Sequence, residues 1–150
     1  MGAGLREANM SIAANKELVR RFYEEVVSTG DTSGIADFVG PDCIEVDGER
    51  SIESGITGMT EHIQGVRSVY SDLRIAVDRQ IAEGDWVVSQ ITASGTHTGE
   101  WIGIKPTGKV LRFTGVNVDR VVGGRIVEHA GAANMLEPLL TVGALRVVGD

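Results

Sequence analysis

The sequence predicts an α+β domain, with helices on one face of an antiparallel sheet. Apolar residues recur at helical spacing as far as about residue 72, and beyond it the period falls to alternation. The later part is punctuated by turn sequences: AEGD at 82–85, KPTG at 105–108 and the pair Gly123-Gly124. Helices followed by a strand meander segregate into layers, whereas alternating strands and helices would make a parallel sheet.

The first element is a helix over NKELVRRFYEEVVSTGD, from Asn15 to Asp31. Leu18, Val19, Phe22, Tyr23, Val26 and Val27 form one stripe along it. Asn15 can cap its start, and Gly30 stands where a helix stops. TSGIADFVG reads as a short second helix, and DCIEVDGE as a strand and turn. GMTEHIQGVRSVYSD reads as a third helix with Met59, Ile63, Val66 and Tyr70 on one face. Two strands follow in LRIAVDRQIAEGDWVVSQITASGTHTG, then a hairpin in KVLRFTGVNVDRVVGGRIVEHAGAA. The segment NMLEPLLTVGALRVVGD is apolar, broken by Pro138, and reads as a short helix or an arm. Residues 1–12 read as a flexible extension and 13–150 as a single domain, since 150 residues suit one core.

The charge balance removes several function classes. Lys plus Arg is 14 and Asp plus Glu is 21, a net charge of −7. No Lys/Arg run is present, so nucleic acid and anionic membrane surfaces are not expected partners. Cys43 is the single cysteine; it reads as a buried, inert thiol in a reducing cytoplasm. The opening MGAGLREANM lacks the basic head and apolar block of a signal peptide, and no apolar run is long enough to span a bilayer.

The three histidines, His62, His97 and His129, fall in no metal-ligand spacing, so no metal is expected. No glycine-rich phosphate cradle or nucleophile elbow occurs, and no cofactor is expected. An enzyme with this inventory works by proton transfer and positioning.

Six residues are candidates for that work. His97, in SGTHTGEW, reads either as a strand-end histidine bonded to backbone or as an acid/base at a pocket rim. His129 lies on the last strong strand, where alternation puts it on one face with Gly131 and Ala133 and puts Asn134 on the other. Either could face the interior without the other. Trp101 reads as core or as an apolar wall for a planar ligand. Tyr23 lies on the buried stripe, where its phenol needs a partner or a ligand oxygen. Asn117 interrupts TGVNVDRV; inward, it is a ligand contact, and outward, a solvated amide.

Three stretches, NKELVRRFYEEVVSTGD, SDLRIAVDRQIAEGDWVVSQITASGTHTGEWIGIKPTGK and RVVGGRIVEHAGAANML, resemble the SnoaL-like polyketide cyclase family, within the nuclear transport factor 2 and ketosteroid isomerase superfamily. The resemblance covers about residues 13–140, and its most specific part runs from Gly95 to Lys109. It implies a cone-shaped α+β barrel: a curved antiparallel sheet wrapped around helices, with a deep apolar cavity for a flat polycyclic substrate. In the family's aldol cyclases an aspartate shortly after an EHW sequence is the acid/base. The matching position here is Asn134, and an amide does not titrate. The family's tryptophan is replaced by Ala130, which is expected to widen the cavity.

A branch of the family, the anthracycline hydroxylases, resembles this chain in those motifs. That likeness implies a homodimer that oxidises C-1 of a polycyclic polyketide without a cofactor, using an electron-rich substrate prepared by a partner reductase. On this reading His97 or His129 donates a proton, Asn134 orients the substrate, and Tyr23, Asn117 and Trp101 line the cavity. The alternatives are a cyclase that closes a ring by intramolecular aldol addition and a non-catalytic binder of a polycyclic small molecule.

Overall fold

The computed structural model describes residues 2–149. Helix α1 spans Gly2–Arg21 and runs directly into a π-helical turn at Phe22–Val27. Strands β1 (Val39–Asp47) and β2 (Arg50–Glu53) form a hairpin, followed by helix α2 (Gly55–Val69). Strands β3 (Arg74–Glu83), β4 (Trp86–Thr96), β5 (Val110–Val122) and β6 (Arg125–Ala133) form the meander, and helix α3 (Leu136–Thr141) follows. One curved six-stranded sheet results, in the order β2-β1-β6-β5-β4-β3. Among the described residues no helix is long and apolar enough to cross a membrane.

The α+β class is as the periodicity predicts, and three details differ. The first helix begins at Gly2, well before the cap expected at Asn15, because nothing between them breaks a helix. TSGIADFVG yields only a 3-10 turn, Ile35–Asp37. The sheet is also not wholly antiparallel: β1 pairs in parallel with β6, with Glu45 opposite His129. The β1–β2 hairpin is remote in sequence from β6, so no local turn signals this pairing.

The core lies between the helices and the concave face of the sheet. Val19, Phe22, Tyr23 and Val26 pack with Met59 and Ile63 of α2 and with Val87 and Ile126 of the sheet. In an α-helix adjacent residues point about 100° apart, so Phe22 and Tyr23 stand at the two edges of the stripe. The wide turn, in which Ser28 N–H donates to the Tyr23 carbonyl at 3.0 Å, brings both rings inside. Where α2 opens, the Ser54 N–H donates to the Cys43 carbonyl, fixing the helix against β1.

The run from Gly95 to Lys109 is a staple between sheet and helix. A Cβ on Gly95 would stand 2.7 Å from Tyr70 Cβ, and one on Gly99 would overlap the Ser68 carbonyl at the end of α2. Only glycine allows this approach, in which Thr98 and Gly99 N–H both donate to the Val69 carbonyl. The chemistry of the site lies elsewhere.

Candidate functional site

The concave face of the sheet, the π-helical turn and α2 enclose a cavity of about 430 Å³. That volume suits a small polycyclic ligand. Phe22, Met59, Ile63, Ile91 and Phe113 are among the side chains of its apolar wall. The polar lining is Tyr23, Glu45, Asp47, His62, Asn117 and His129, with no Lys or Arg among the described lining residues.

The sheet sets the positions of the polar groups. Along β5, Gly115, Asn117 and Asp119 share the inner face, while Val116 and Val118 point outward. In the antiparallel register, Gly115 faces Ala133, Asn117 faces Gly131 and Asp119 faces His129. The π-helical turn carries Tyr23 to the same place from the opposite side. Tyr23 Oη donates to Asp119 Oδ2 at 2.6 Å, and His129 Nδ1 lies 2.8 Å from Asp119 Oδ1.

Asp119 is wholly buried and holds two donors, one on each oxygen. A carboxylate only accepts, so the hydrogen of neutral His129 belongs on Nδ1. That leaves the Nε2 lone pair, which has no hydrogen-bond partner among the described residues, open to a ligand in the cavity that His129 lines. Burial opposes the imidazolium, but the hydrogen bond and charge of Asp119, with Glu45 beyond it, outweigh that and hold His129 above its ordinary pKa. Burial, then the Asp119 charge and hydrogen bond, push the Tyr23 phenol well above its usual value, so it stays protonated. This arrangement can take a proton, stabilise the resulting cation and return the proton.

Burial, with the Glu45, Asp119 and Glu128 charges, pushes the Cys43 thiol up to about 11. It is therefore a poor nucleophile. His62 and Glu45 form a second pair, with Nδ1 and Oε2 at 2.8 Å. No group of three or more metal-ligating side chains occurs among the described residues.

Of the six residues singled out from the sequence, Tyr23, Asn117 and His129 line the cavity. The other three stand elsewhere, which corrects the placement expected for them. Asn134 is exposed just past the end of β6, and its Oδ1 accepts from Leu136 N–H at 3.2 Å, opening α3. His97 is buried outside the cavity; its Nδ1 lies 3.0 Å from Thr107 Oγ1 and accepts from Thr107 N–H, closing the 97–109 loop. Trp101 lies edge-on to His97, its centroid 6.4 Å away, and packs on the Tyr70, Leu73 and Leu111 cluster. Ala130 does not widen the cavity either. It pairs with Val118 and Val46 on the sheet face opposite to His129.

Asp119, Glu45 and His62 escaped the sequence reading. The signal for Asp119 was present in VNVDRV, where two polar residues at i and i+2 alternate with valines. That pattern puts the polar pair on one face, and the burial shows it to be the inner one. Glu45 and His62 gave no such signal, because their meeting depends on how α2 sits against β1.

Fold and site together define a small α+β cone with a buried Asp119–His129 pair at the wall of an apolar cavity. The SnoaL-like polyketide cyclase family model matches residues 17–140, and the chain belongs to that family. It is 28% identical over 127 residues to nogalonic acid methyl ester cyclase of Streptomyces nogalater, covering 82% of this chain and 89% of that protein. It is 28% identical over 114 residues to aklanonic acid methyl ester cyclase AcmA of Streptomyces galilaeus, covering 74% of this chain and 78% of the relative. The crystal structure of AclR, a candidate hydroxylase of Streptomyces galilaeus, superposes with a TM-score of 0.81 at 30% identity, over 92% of this chain and 86% of that one.

Proposed function

We propose that this chain is a tailoring enzyme of aromatic polyketides that closes a ring by intramolecular aldol addition. The observation that carries this is the buried Asp119–His129 pair on the wall of an apolar cavity. His129 Nε2 removes a proton from a methylene activated by neighbouring carbonyls. Asp119 steadies the imidazolium, and Tyr23 holds Asp119 in place. The enolate carbon attacks a ketone of the same molecule, and the new alkoxide takes the proton back from His129. The Asn117 side-chain amide stands on the same cavity wall beside Tyr23, and it can donate to the enolate oxygen. The lack of a titratable group at Asn134 is no obstacle, because Asp119 and His129 supply the acid/base function from the neighbouring strands.

The lining carboxylates and the absence of Lys or Arg among the described lining residues favour a neutral ligand over an anion. A methyl ester of the kind that the two cyclase relatives' names specify meets that condition. A second reading is cofactor-independent hydroxylation at C-1 with a partner reductase, favoured by the likeness to AclR. It uses the same cavity and needs oxygen and an electron-rich substrate.

One experiment separates these readings. Aklanonic acid methyl ester is incubated with the protein, with and without oxygen and a reductant, and the product is weighed. An isomer of unchanged mass, formed without oxygen, supports ring closure. Gain of one oxygen atom moves the assignment to hydroxylation, and tight binding without turnover leaves a binding protein.

We infer further that the chain works as a homodimer in the cytoplasm. Ile81, Trp86, Val116 and Val122 present exposed apolar surface on the outer face of the sheet, and a second copy would cover it. Sedimentation of the wild type against Val116→Glu tests this: a monomer in both would remove the dimer.

A further inference from the structure

We propose that His62 and Glu45 form a relay that passes protons between His129 and solvent. This rests on the reading of His129 as the base. Glu45, His129 and Asp119 stand in one row across β1, β6 and β5, each opposite the next in register. Helix α2 adds His62 to the open end, its Nδ1 2.8 Å from Glu45 Oε2. The His62 and His129 rings lie 6.2 Å apart at 76°. Side-chain exposure climbs steadily along the row, from 0% at Asp119 and 14% at His129 to 19% at Glu45 and 47% at His62.

A His–Glu pair on an ordinary surface has little consequence. This one lines the cavity that His129 lines, and it is more open to water. A flat ligand seated against His129 would cut that imidazole off from bulk solvent. The relay avoids this isolation. The N–H bond on Nε2 of the His129 imidazolium breaks, a bridging water carries the proton across, and an N–H bond forms on neutral His62 Nε2. His129 returns to its neutral state. The His62 cation, held by Glu45, then gives the proton to bulk water or buffer. One proton moves and no electrons change hands. Run in reverse, the same path recharges His129 when a product leaves with a proton.

The test has two arms, and the first needs no substrate. In protein labelled with nitrogen-15 histidine and saturated with anthraquinone, a flat ligand with no methylene to react, exchange of the His129 ring N–H with solvent is timed by NMR in wild type, His62→Gln and Glu45→Gln. His62 is half-exposed, so glutamine is accommodated there, and the melting temperature checks that each variant is folded. His62→Gln is expected to slow exchange by about tenfold or more, with recovery on adding free imidazole. Glu45→Gln is expected to slow it less. Unchanged exchange in both variants would overturn the relay.

The second arm uses aklanonic acid methyl ester deuterated at its activated methylene. Wild type is expected to release the label from recovered substrate into water, and His62→Gln to retain it. Equal release from both proteins would overturn the relay and leave His129 as the base. If no protein releases label or closes a ring, while the exchange difference persists, the aldol reading falls and the relay stands.

Discussion

The side chain of Asn117 lies across Gly131 on the neighbouring strand, with Oδ1 where a β-carbon on residue 131 would need to be. A polar side chain on the cavity wall is thus held in place by the absence of one beside it. Gly131→Ala should push the amide off its position. The expected cost in stability is about 0.5–1.5 kcal/mol, as for a side chain turned off its preferred rotamer, because the displaced atom is the tip of the Asn117 side chain. Turnover should fall more than substrate binding does, which steady-state kinetics can resolve. An unchanged kcat would mean that Asn117 does not face the developing charge.

Asp119→Asn should lower the pKa of His129, because burial is then opposed by the Glu45 charge alone. The base form would appear at lower pH. The acid limb of the rate profile should therefore move towards acid while the plateau drops by about 10²–10⁴-fold. Imidazole NMR titration beside the pH–rate curve checks both. A limb that stays in place would remove the assignment of His129.

The same pair makes stability depend on pH. The folded-state pKa of His129 is raised, so its contribution is full below the unfolded value of about 6.5. It is lost as pH rises through the folded value. The stability difference between wild type and His129→Gln should therefore shrink from about pH 5.5 to pH 9, as read by urea unfolding at each pH. A constant difference would contradict the coupling.

Tyr23→Phe removes one of the two donors to a fully buried carboxylate and leaves an oxygen without a partner. A loss of about 1–3 kcal/mol is expected from thermal or urea unfolding. Since burial and Asp119 hold the phenol protonated, any alkaline limb in the rate profile should survive in this variant. Its disappearance would show Tyr23 transferring protons itself.

Asn134→Asp should leave the rate unchanged, because either side chain can accept from Leu136 N–H and neither reaches the cavity. Asn134→Ala should cost about 0.5–1.5 kcal/mol, as loss of one hydrogen bond does, without altering kcat. New ring-closing activity in the aspartate variant would reopen this position.

What the sequence made legible was periodicity and residue chemistry. The amphipathic stripe of Leu18 to Val27, the meander and the hairpin at Gly123-Gly124 follow from local pattern and turn sequence. His129, Gly131 and Ala133 share a face because strand alternation requires it. Pairings between remote segments were not legible. Glu45 meets His129 through a parallel register with no connecting turn, and His62 meets Glu45 through helix placement. Asp119 was obscured for another reason: around it Val116 and Val118 face outward while Asn117 and Asp119 face inward, the reverse of the usual expectation. Matching by position led to Asn134, whereas the buried proton acceptor stands on the adjoining strand.

The wide turn at Phe22–Val27 also fixes the length of the chain around it. It is a local surplus of backbone relative to a regular helix, and the surplus sets the rotational phase of Tyr23. Deleting one residue there would restore regular winding and swing the phenol by about 100°, away from Asp119. The helix would survive such a trim while the carboxylate lost its clamp. Tolerance to indels in this segment should therefore be judged by retention of the Tyr23–Asp119 bond, since helicity measured by circular dichroism would register almost nothing.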